Sequence, residues 1–164
     1  MSSSTFPVSC VNPASCNRPA TTTDPNGATT VYTYSADHGG VLSVVQPSVG
    51  GVSPATKYYY AQRYPWLKSG NGYAAGSSPI WVLTEERACR TSNLDLTTGV
   101  CTAGSADMAR KLYDYGPDAG PNNLWLRGVA LVSNGQTLRT CYGYDPLGRQ
   151  ISESKPRAEL ATCS

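Results

Sequence analysis

His38 is the single histidine of the chain, and it stands beside Asp37 and before Gly39-Gly40. A histidine next to a carboxylate could belong to a Ser-His-Asp triad, in which the imidazole takes a proton from a nucleophilic serine. The sequence has no Gly-x-Ser-x-Gly motif to expose such a serine, and a sequence neighbour is poorly placed to orient the ring. We therefore expect His38 to lie in a hairpin turn rather than in a catalytic site.

The carboxylates give no better case for catalysis or metal binding. Glu85 and Glu86 are adjacent, so in a strand they point to opposite faces and cannot form a facing acid–base pair. Asp24-Pro25-Asn26-Gly27 begins like a calcium loop but lacks the later oxygen ligands, and it predicts a hairpin turn instead. The sequence also lacks closely spaced cysteine pairs of the zinc type and a glycine-rich phosphate loop. We expect no enzyme activity, no metal and no cofactor.

Six cysteines fall into three couples that are local in the sequence and bracket turn-rich segments. Six cysteines allow fifteen connectivities. We favour the local one, and an oxidised, exported protein, over buried reduced thiols in a cytosolic protein. The predicted disulfides are Cys10–Cys16, Cys89–Cys101 and Cys141–Cys163.

The clearest predicted secondary structure lies near the C-terminus, from Cys141 to Pro156. Tyr142 and Tyr144 share one face of a predicted strand. Asp145-Pro146-Leu147-Gly148 is then a strong turn tetrad, in which Asp caps its own backbone, Pro fixes φ and Gly accepts a positive φ. Arg149 to Ser154 supplies the return strand, which Pro156 ends because it has no N–H to donate. The segment predicts a β-hairpin.

The same pattern recurs in weaker form along the chain. Tyr32-Thr33-Tyr34 is followed by a turn that contains Gly39-Gly40, by a predicted strand from Val41 to Gln46 and by Pro47, with one extra residue in the turn. Tyrosine is common in strands in any case, but here turn residues and stop signals recur with it. We interpret the chain as a repeat of a small supersecondary unit. The other predicted strand starts are Tyr58 to Tyr60 and Tyr113-Asp114-Tyr115, with the apolar run 79–83 in the widest gap.

The hairpin resembles the YD repeat of the Rhs family, whose pattern is Tyr-x-Tyr-Asp-x-x-Gly-Arg. Tyr142, Tyr144, Asp145, Gly148 and Arg149 match every fixed position of that pattern. The resemblance implies an array of hairpins in a continuous spiral sheet, which in Rhs proteins, insecticidal toxin complexes and teneurins closes into a hollow shell. No counterpart of the aspartate-rich self-cleavage region of Rhs proteins is visible, and the chain is too short to enclose a cavity. It would form a segment of the shell wall.

Composition agrees with a mostly β chain with little or no helix. Tyr numbers 11, Gly 16 and Pro 12 among 164 residues, and no long window has helical periodicity. We expect two parts, a Cys- and Pro-rich segment at 1–27 and a hairpin array at 28–164. The net charge of +2 and the scattered basic residues argue against a nucleic-acid partner. No apolar stretch is long enough to span a membrane.

These observations predict a non-enzymatic structural building block of an exported protein, located outside the cell or at its surface. It would be a wall segment next to further YD repeats or a subunit that assembles with copies of itself into fibres or tubes. Assembly would use unpaired strand edges, which we expect near Val31 to Tyr34 and near Ile151 to Lys155. The alternative is a carbohydrate-binding module that stacks sugars on exposed rings. Its candidate rings are Tyr58, Tyr59, Tyr60, Tyr64, Trp66 and Tyr73.

Overall fold

The computed structural model describes residues 1–9, 12–145, 147–158 and 162–163. Half of the chain is in strands and 4% is in short 3-10 turns, at Pro13–Ser15 and Ser105–Asp107, which confirms the predicted fold class. The strands are β1 (Ser3–Thr5), β2 (Thr21–Thr23), β3 (Thr29–Tyr34), β4 (Val41–Val45), β5 (Ala55–Arg63), β6 (Trp66–Ser69), β7 (Gly72–Ala75), β8 (Ile80–Cys89), β9 (Met108–Tyr115), β10 (Leu126–Ser133), β11 (Gln136–Tyr144), β12 (Gln150–Glu153) and β13 (Arg157–Ala158).

Eleven of these strands form one large antiparallel sheet, in which strands that are consecutive in the sequence are mostly neighbours. The order is β1-β2-β3-β4-β5-β8-β9-β10-β11-β12, and β13 also pairs with β11. The hairpin of β6 and β7 forms a separate two-stranded sheet between β5 and β8 in the sequence. A chain of local hairpins is therefore the main organising feature, as the turn pattern predicts.

The chain divides into two compact units, residues 1–58 with 86–109 and residues 59–85 with 110–164. In the first unit, β1 and β2 continue the sheet beyond β3, with Thr5 opposite Thr21 and Thr21 opposite Val31. The prediction of an open edge at Val31 to Tyr34 is therefore wrong. The N-terminal segment of the same chain pairs with this strand, and β1 is the terminal strand of the sheet instead.

In the second unit, β10 and β11 form a hairpin whose two-residue loop is Asn134-Gly135. Both residues have positive φ, 51° and 74°, as a type I′ turn requires. Strand β12 follows β11 through the predicted turn at Asp145, and it pairs with Tyr142 to Tyr144.

The return strand after this turn is interrupted where the sequence predicts its end. Strand β12 stops at Glu153, and after Pro156 the chain pairs again with β11 as β13, with Arg157 opposite Arg139. Among the described strands β12 pairs with β11 alone, so the predicted second edge is confirmed. Proline and a charged residue on an edge strand limit pairing with other chains.

Burial within the units is shallow. The buried apolar side chains are Val82, Leu94, Cys101 and Ala130, and no large side chain among the described residues is fully buried. Leu131 and Ile151, which lie on strands, are 51% and 69% exposed. Repeating units that bury little apolar surface by themselves usually gain stability from neighbouring units.

Candidate functional site

The turn that matches the YD pattern is closed by the Asp145 side chain. One carboxylate oxygen, Oδ1, accepts the backbone N–H groups of Leu147 and Arg149, at 2.9 Å each. The backbone of Asp145 exchanges two further hydrogen bonds, from Gly148 N and to Arg149 O, both 3.0 Å long. The other oxygen, Oδ2, accepts Arg149 Nε at 2.7 Å. The hydrogen bonds that the Asp145 carboxylate accepts, led by the backbone N–H of Arg149, lower the pKa of Asp145. Pro146 lies outside the described residues.

The Asp24 turn has the same hydrogen bonds. Asp24 Oδ1 accepts Asn26 N at 2.8 Å and Ala28 N at 2.9 Å. Asp24 N donates to Ala28 O and Gly27 N donates to Asp24 O, both at 3.0 Å. Gly27 at the end of this turn has a positive φ, and the turn joins the paired strands β2 and β3, which confirms that Asp24 to Gly27 is a hairpin turn.

Two further turns resemble the Asp24 and Asp145 turns but contain one extra residue. Ser35 takes the place of the aspartate in the first, where its Oγ accepts the N–H groups of Asp37 and His38. Asp95 takes that place in the second, where Oδ1 accepts Thr97 N at 2.7 Å. Gly39 and Gly99 donate to the first residue of their turn, as Gly27 and Gly148 do. The predicted one-residue insertion after Tyr34 is confirmed.

A glycine of positive φ closes all four of these turns, and at Gly148 its missing side chain also has a packing role. Gly148 has φ = 82°, and a Cβ there would lie 2.7 Å from Cζ2 of Trp125. The Trp125 ring also packs against Tyr144, with the ring centres 5.1 Å apart. Gly27 has φ = 87° and open space around the same position.

In three of the Tyr-x-Tyr pairs, the phenol hydroxyl of the second tyrosine donates to a backbone carbonyl. The hydroxyl of Tyr34 donates to Pro19 O at 2.9 Å, that of Tyr115 to Leu83 O at 2.9 Å, and that of Tyr144 to Leu126 O at 2.7 Å. Burial raises the pKa of Tyr34 and of Tyr115. The second tyrosines of these three pairs therefore bind backbone carbonyls of their own unit. The first tyrosines, Tyr32, Tyr113 and Tyr142, lie in β3, β9 and β11.

A bulge precedes the turn in both of the hairpins that begin with a Tyr-x-Tyr pair and a capping side chain. The register shifts between Thr33 and Tyr34 in β3–β4, and between Gly143 and Tyr144 in β11–β12. A bulge increases the local twist of a strand. The two hairpins thus share the anchored tyrosine, the bulge, the capped turn and the glycine.

Asp107 forms a second polar cluster, which the sequence analysis missed. Its buried carboxylate accepts the N–H and the hydroxyl of both Thr91 and Ser92, at 2.6–3.0 Å. The hydroxyls of Ser92 and Thr91 are the main cause of a lowered pKa of Asp107. The one feature of the sequence that could have indicated this cluster is the adjacent pair of hydroxyl residues, Thr91 and Ser92, shortly after Cys89.

Two of the predicted disulfides are present. Cys89 is bonded to Cys101 with a Cα–Cα distance of 5.7 Å, and Cys141 to Cys163 with 5.5 Å. Cys10 lies outside the described residues. Asp107 lies near Cys89 and Cys101 in a metal-like grouping, but both sulfur atoms belong to the disulfide and are not free thiolate ligands. Two disulfides are compatible with an oxidising, extracellular environment.

The candidate catalytic residues lie in a turn and in strand β8. His38 lies in the Ser35 turn as predicted, and its Nδ1 accepts the N–H of Gly40 at 3.1 Å. Glu85 and Glu86 are consecutive residues of β8, and Glu85 forms an ion pair with Arg110. In the described part of the chain, no helix is long and apolar enough to cross a membrane.

The candidate sugar-binding rings are only partly exposed. Tyr64 and Tyr73 are 49% and 46% exposed, whereas Trp66 is half-buried. Tyr73 pairs with Lys68 across the β6–β7 hairpin and therefore shares a face with Trp66. Tyr58, Tyr59 and Tyr60 are half-buried in β5.

Comparison with protein-family models, with curated proteins and with solved structures finds no match to this chain.

Proposed function

We propose that this chain is a structural, non-enzymatic β-repeat building block of an exported protein similar to the Rhs family. It acts as a segment of a shell wall or as a subunit that assembles with copies of itself. The proposal rests on one set of structural features that recurs in the β3–β4 and β11–β12 hairpins. Each combines an anchored tyrosine, a bulge, a capped turn and a closing glycine.

The small amount of apolar surface that the chain buries supports the proposal that adjacent repeats or copies pack against it. A sheet whose strands expose Leu131 and Ile151 gains stability when further repeats or copies cover apolar surface. The two terminal strands, β1 and β12, offer backbone groups to an added strand. Strand β1, Ser3–Thr5, carries no charge, whereas β12 ends at Glu153 and is followed by Lys155.

Sedimentation velocity over a wide range of micromolar concentrations tests self-assembly. We expect species larger than the 17.4 kDa monomer, whose share grows with concentration. Ile151→Lys on the edge strand β12 should reduce this share. Leu131→Lys separates pairing at the edge from covering of the sheet face, because Leu131 is also exposed but lies on β10, between two paired strands. It should leave the share of larger species unchanged if copies add at the edge, and reduce it if they cover the face. A monomer at every concentration would refute self-assembly and leave the wall segment as the proposal.

A second candidate function, glycan binding, has one supporting observation. The β6–β7 hairpin lies outside the large sheet and presents Tyr73 and Trp66 on one face. Isothermal titration with neutral oligosaccharides tests it, with Tyr73→Ala as the variant. Binding that Tyr73→Ala abolishes would support the glycan-binding function, and no heat of binding to any sugar would reject it.

A further inference from the structure

A small cavity beside the Asp145 turn is lined by three aromatic rings and one arginine. It lies in the unit of residues 59–85 and 110–164 and has a volume of about 210 Å³. We call it the Trp125 cavity. Its lining residues are Asn122, Trp125, Arg127, Tyr142, Gly143 and Tyr144. Ligand sites in proteins are usually concave and combine aromatic or apolar walls with a few polar groups that orient the ligand. The Trp125 cavity has this composition.

The pairing of β10 with β11 places Arg127 on the same face of the sheet as two of these rings. Gly128 lies opposite Cys141, so Arg127 and Tyr142 are the next cross-strand positions and their side chains share the other face. Tyr144 lies two residues after Tyr142 on β11 and belongs to that face as well. Side chains of two neighbouring strands thus line one side of the cavity.

Two of the rings are held in place by contacts within the protein. The centres of the Trp125 and Tyr144 rings are 5.1 Å apart, and the Tyr144 hydroxyl donates to Leu126 O at 2.7 Å. Gly148 leaves room for the indole, because a Cβ there would lie 2.7 Å from Cζ2 of Trp125. A ligand therefore meets rings that are ordered before it binds, which reduces the entropic cost of binding.

Arg127 supplies an uncompensated positive charge. Among the described residues that line the Trp125 cavity it is the only charged one, and it makes no ion pair or hydrogen bond with any described residue. It also lines a neighbouring cavity of about 360 Å³, in which Arg63 and Asp114 are each ion-paired. A guanidinium binds a carboxylate through two parallel hydrogen bonds, which are stronger than bonds between neutral groups. The free guanidinium therefore favours a carboxylate ligand.

Two acidic residues of the β11–β12 hairpin do not neutralise Arg127. Asp145 is ion-paired with Arg149 at 2.7 Å. Glu153 lies opposite Tyr142 and so shares its face, but the spacing of strands places it two strands and about 10 Å from Arg127. This separation is close to the Debye length of about 10 Å at 0.1 M salt, so the charge of Glu153 is largely screened at Arg127.

We propose that the Trp125 cavity binds a small aromatic acid, a single flat ring that carries one carboxylate. The ligand ring packs against Trp125 and Tyr142, and its carboxylate accepts hydrogen bonds from the Arg127 guanidinium. The volume of about 210 Å³ is below the roughly 300 Å³ at which pockets for drug-sized ligands begin, so it fits one ring. A sugar presents hydroxyls around its whole rim, and against mostly aromatic walls many of them would lose water without gaining a partner. This binding adds to the structural role proposed above and does not depend on it.

Titrations of the native protein with four small molecules test the ligand class. The probes are benzoate, cyclohexanecarboxylate as an acid without an aromatic ring, benzyl alcohol as a neutral aromatic, and glucuronate as an acidic sugar. The indole N–H signals of the three tryptophans in ¹H–¹⁵N spectra report binding, and Trp125→Phe identifies the signal of Trp125. We expect benzoate to shift this signal most, with a dissociation constant of about 1 mM or less.

The other three probes should bind more weakly. Benzyl alcohol should lose about tenfold in affinity because it lacks the charge, and cyclohexanecarboxylate should lose about threefold because it lacks the aromatic face. Equal binding of benzoate and benzyl alcohol would overturn the proposal. Tighter binding of glucuronate than of benzoate would also overturn it, as would benzoate binding that leaves the Trp125 signal in place.

Paired variants test the lining residues. Arg127→Gln should weaken benzoate binding about tenfold or more and leave benzyl alcohol unchanged. Lys68→Gln, which removes one exposed positive charge of β6, should change neither. Tyr142 lines the Trp125 cavity and not its neighbour, so Tyr142→Leu should weaken benzoate binding severalfold, whereas Tyr142→Phe keeps the ring and should preserve it.

Two results with these variants would refute the site. Equal weakening by Arg127→Gln and Lys68→Gln would show that net charge, rather than the cavity, attracts the acid. Unchanged benzoate binding in Tyr142→Leu would place the acid outside the Trp125 cavity. Near-UV circular dichroism checks that each variant is folded.

Discussion

Asp24 and Asp145 close their turns with the same four hydrogen bonds, although the two residues lie in different units of the chain. In each turn Oδ1 accepts two backbone N–H groups at 2.8–2.9 Å, and the backbone exchanges two bonds of 3.0 Å. The Asp145 turn has two additions, the ion pair with Arg149 and the Trp125 ring beside Gly148. This pair of turns allows backbone effects to be separated from packing effects.

Valine substitutions at the two turn glycines separate backbone strain from packing. Gly27→Val should lower the free energy of unfolding by about 1 kcal/mol or more, since a β-branched residue is strained at positive φ. Gly148→Val should lower it further, because its Cβ would also meet the Trp125 ring. Urea denaturation measures both. Equal losses would show that Trp125 moves aside at no cost, and no loss at Gly148 would contradict the assigned turn.

Removing the anchoring phenol hydroxyls tests the tyrosine positions of the repeat. Tyr34→Phe, Tyr115→Phe and Tyr144→Phe should each cost about 0.5–1.5 kcal/mol, because each leaves a backbone carbonyl without its donor. Tyr73→Phe is the control, since Tyr73 is 46% exposed and its hydroxyl has no partner among the described residues. Thermal denaturation of the four variants measures the difference. A loss at Tyr73 as large as at Tyr144 would show that the hydroxyl bonds are not the cause.

Local turn chemistry is what the sequence predicted best. The hairpins around Ser35 and Asp145 could be predicted because aspartate or serine, glycine and the flanking strands all act within a few residues. The turn at Asp95 was not predicted as a copy because Leu94 stands where Tyr34 and Tyr144 stand before the Ser35 and Asp145 turns. Tyrosine marked the copies in the sequence, but the capping side chain and the glycine define the turn.

Contacts between distant residues could not be predicted in the same way. The packing of Trp125 under Gly148 and the cluster of Asp107 with Thr91 and Ser92 depend on which strands become neighbours. The sequence predicted the hairpin turn at Asp24 but not that the segment 1–27 supplies the strand β2, which pairs with β3 across that turn. The cysteine- and proline-rich composition of 1–27 favours irregular structure, whereas Thr21–Thr23 has high β-propensity and pairs across the Asp24 turn.

The third predicted disulfide is testable by chemistry alone. Peptide mapping of the unreduced protein should recover Cys10 linked to Cys16, in addition to the two described disulfides. The short separation of these cysteines favours local closure. A control digest after reduction and alkylation should show all of these cysteines as free peptides. Recovery of Cys10 or Cys16 as a free thiol in protein from its native compartment would contradict both this pairing and the exported location.

Acid should destabilise the protein through three capped aspartates. The hydroxyl and N–H donors around Asp95, Asp107 and Asp145 lower the pKa of each in the folded state. Protons therefore bind more strongly to the unfolded chain, whose aspartates have an ordinary pKa of about 3.9. Their contribution to stability is complete above about pH 5 and is lost progressively as the pH falls through the lowered values. Urea midpoints measured from neutral pH downwards should show this fall.

The variant Asp107→Asn tests the contribution of one of the three aspartates. It should lower the urea midpoint at neutral pH and make the midpoint depend less on pH, because the side chain of the variant has no proton to gain. A variant profile as steep as that of the native protein would show that Asp107 is not one of the groups responsible.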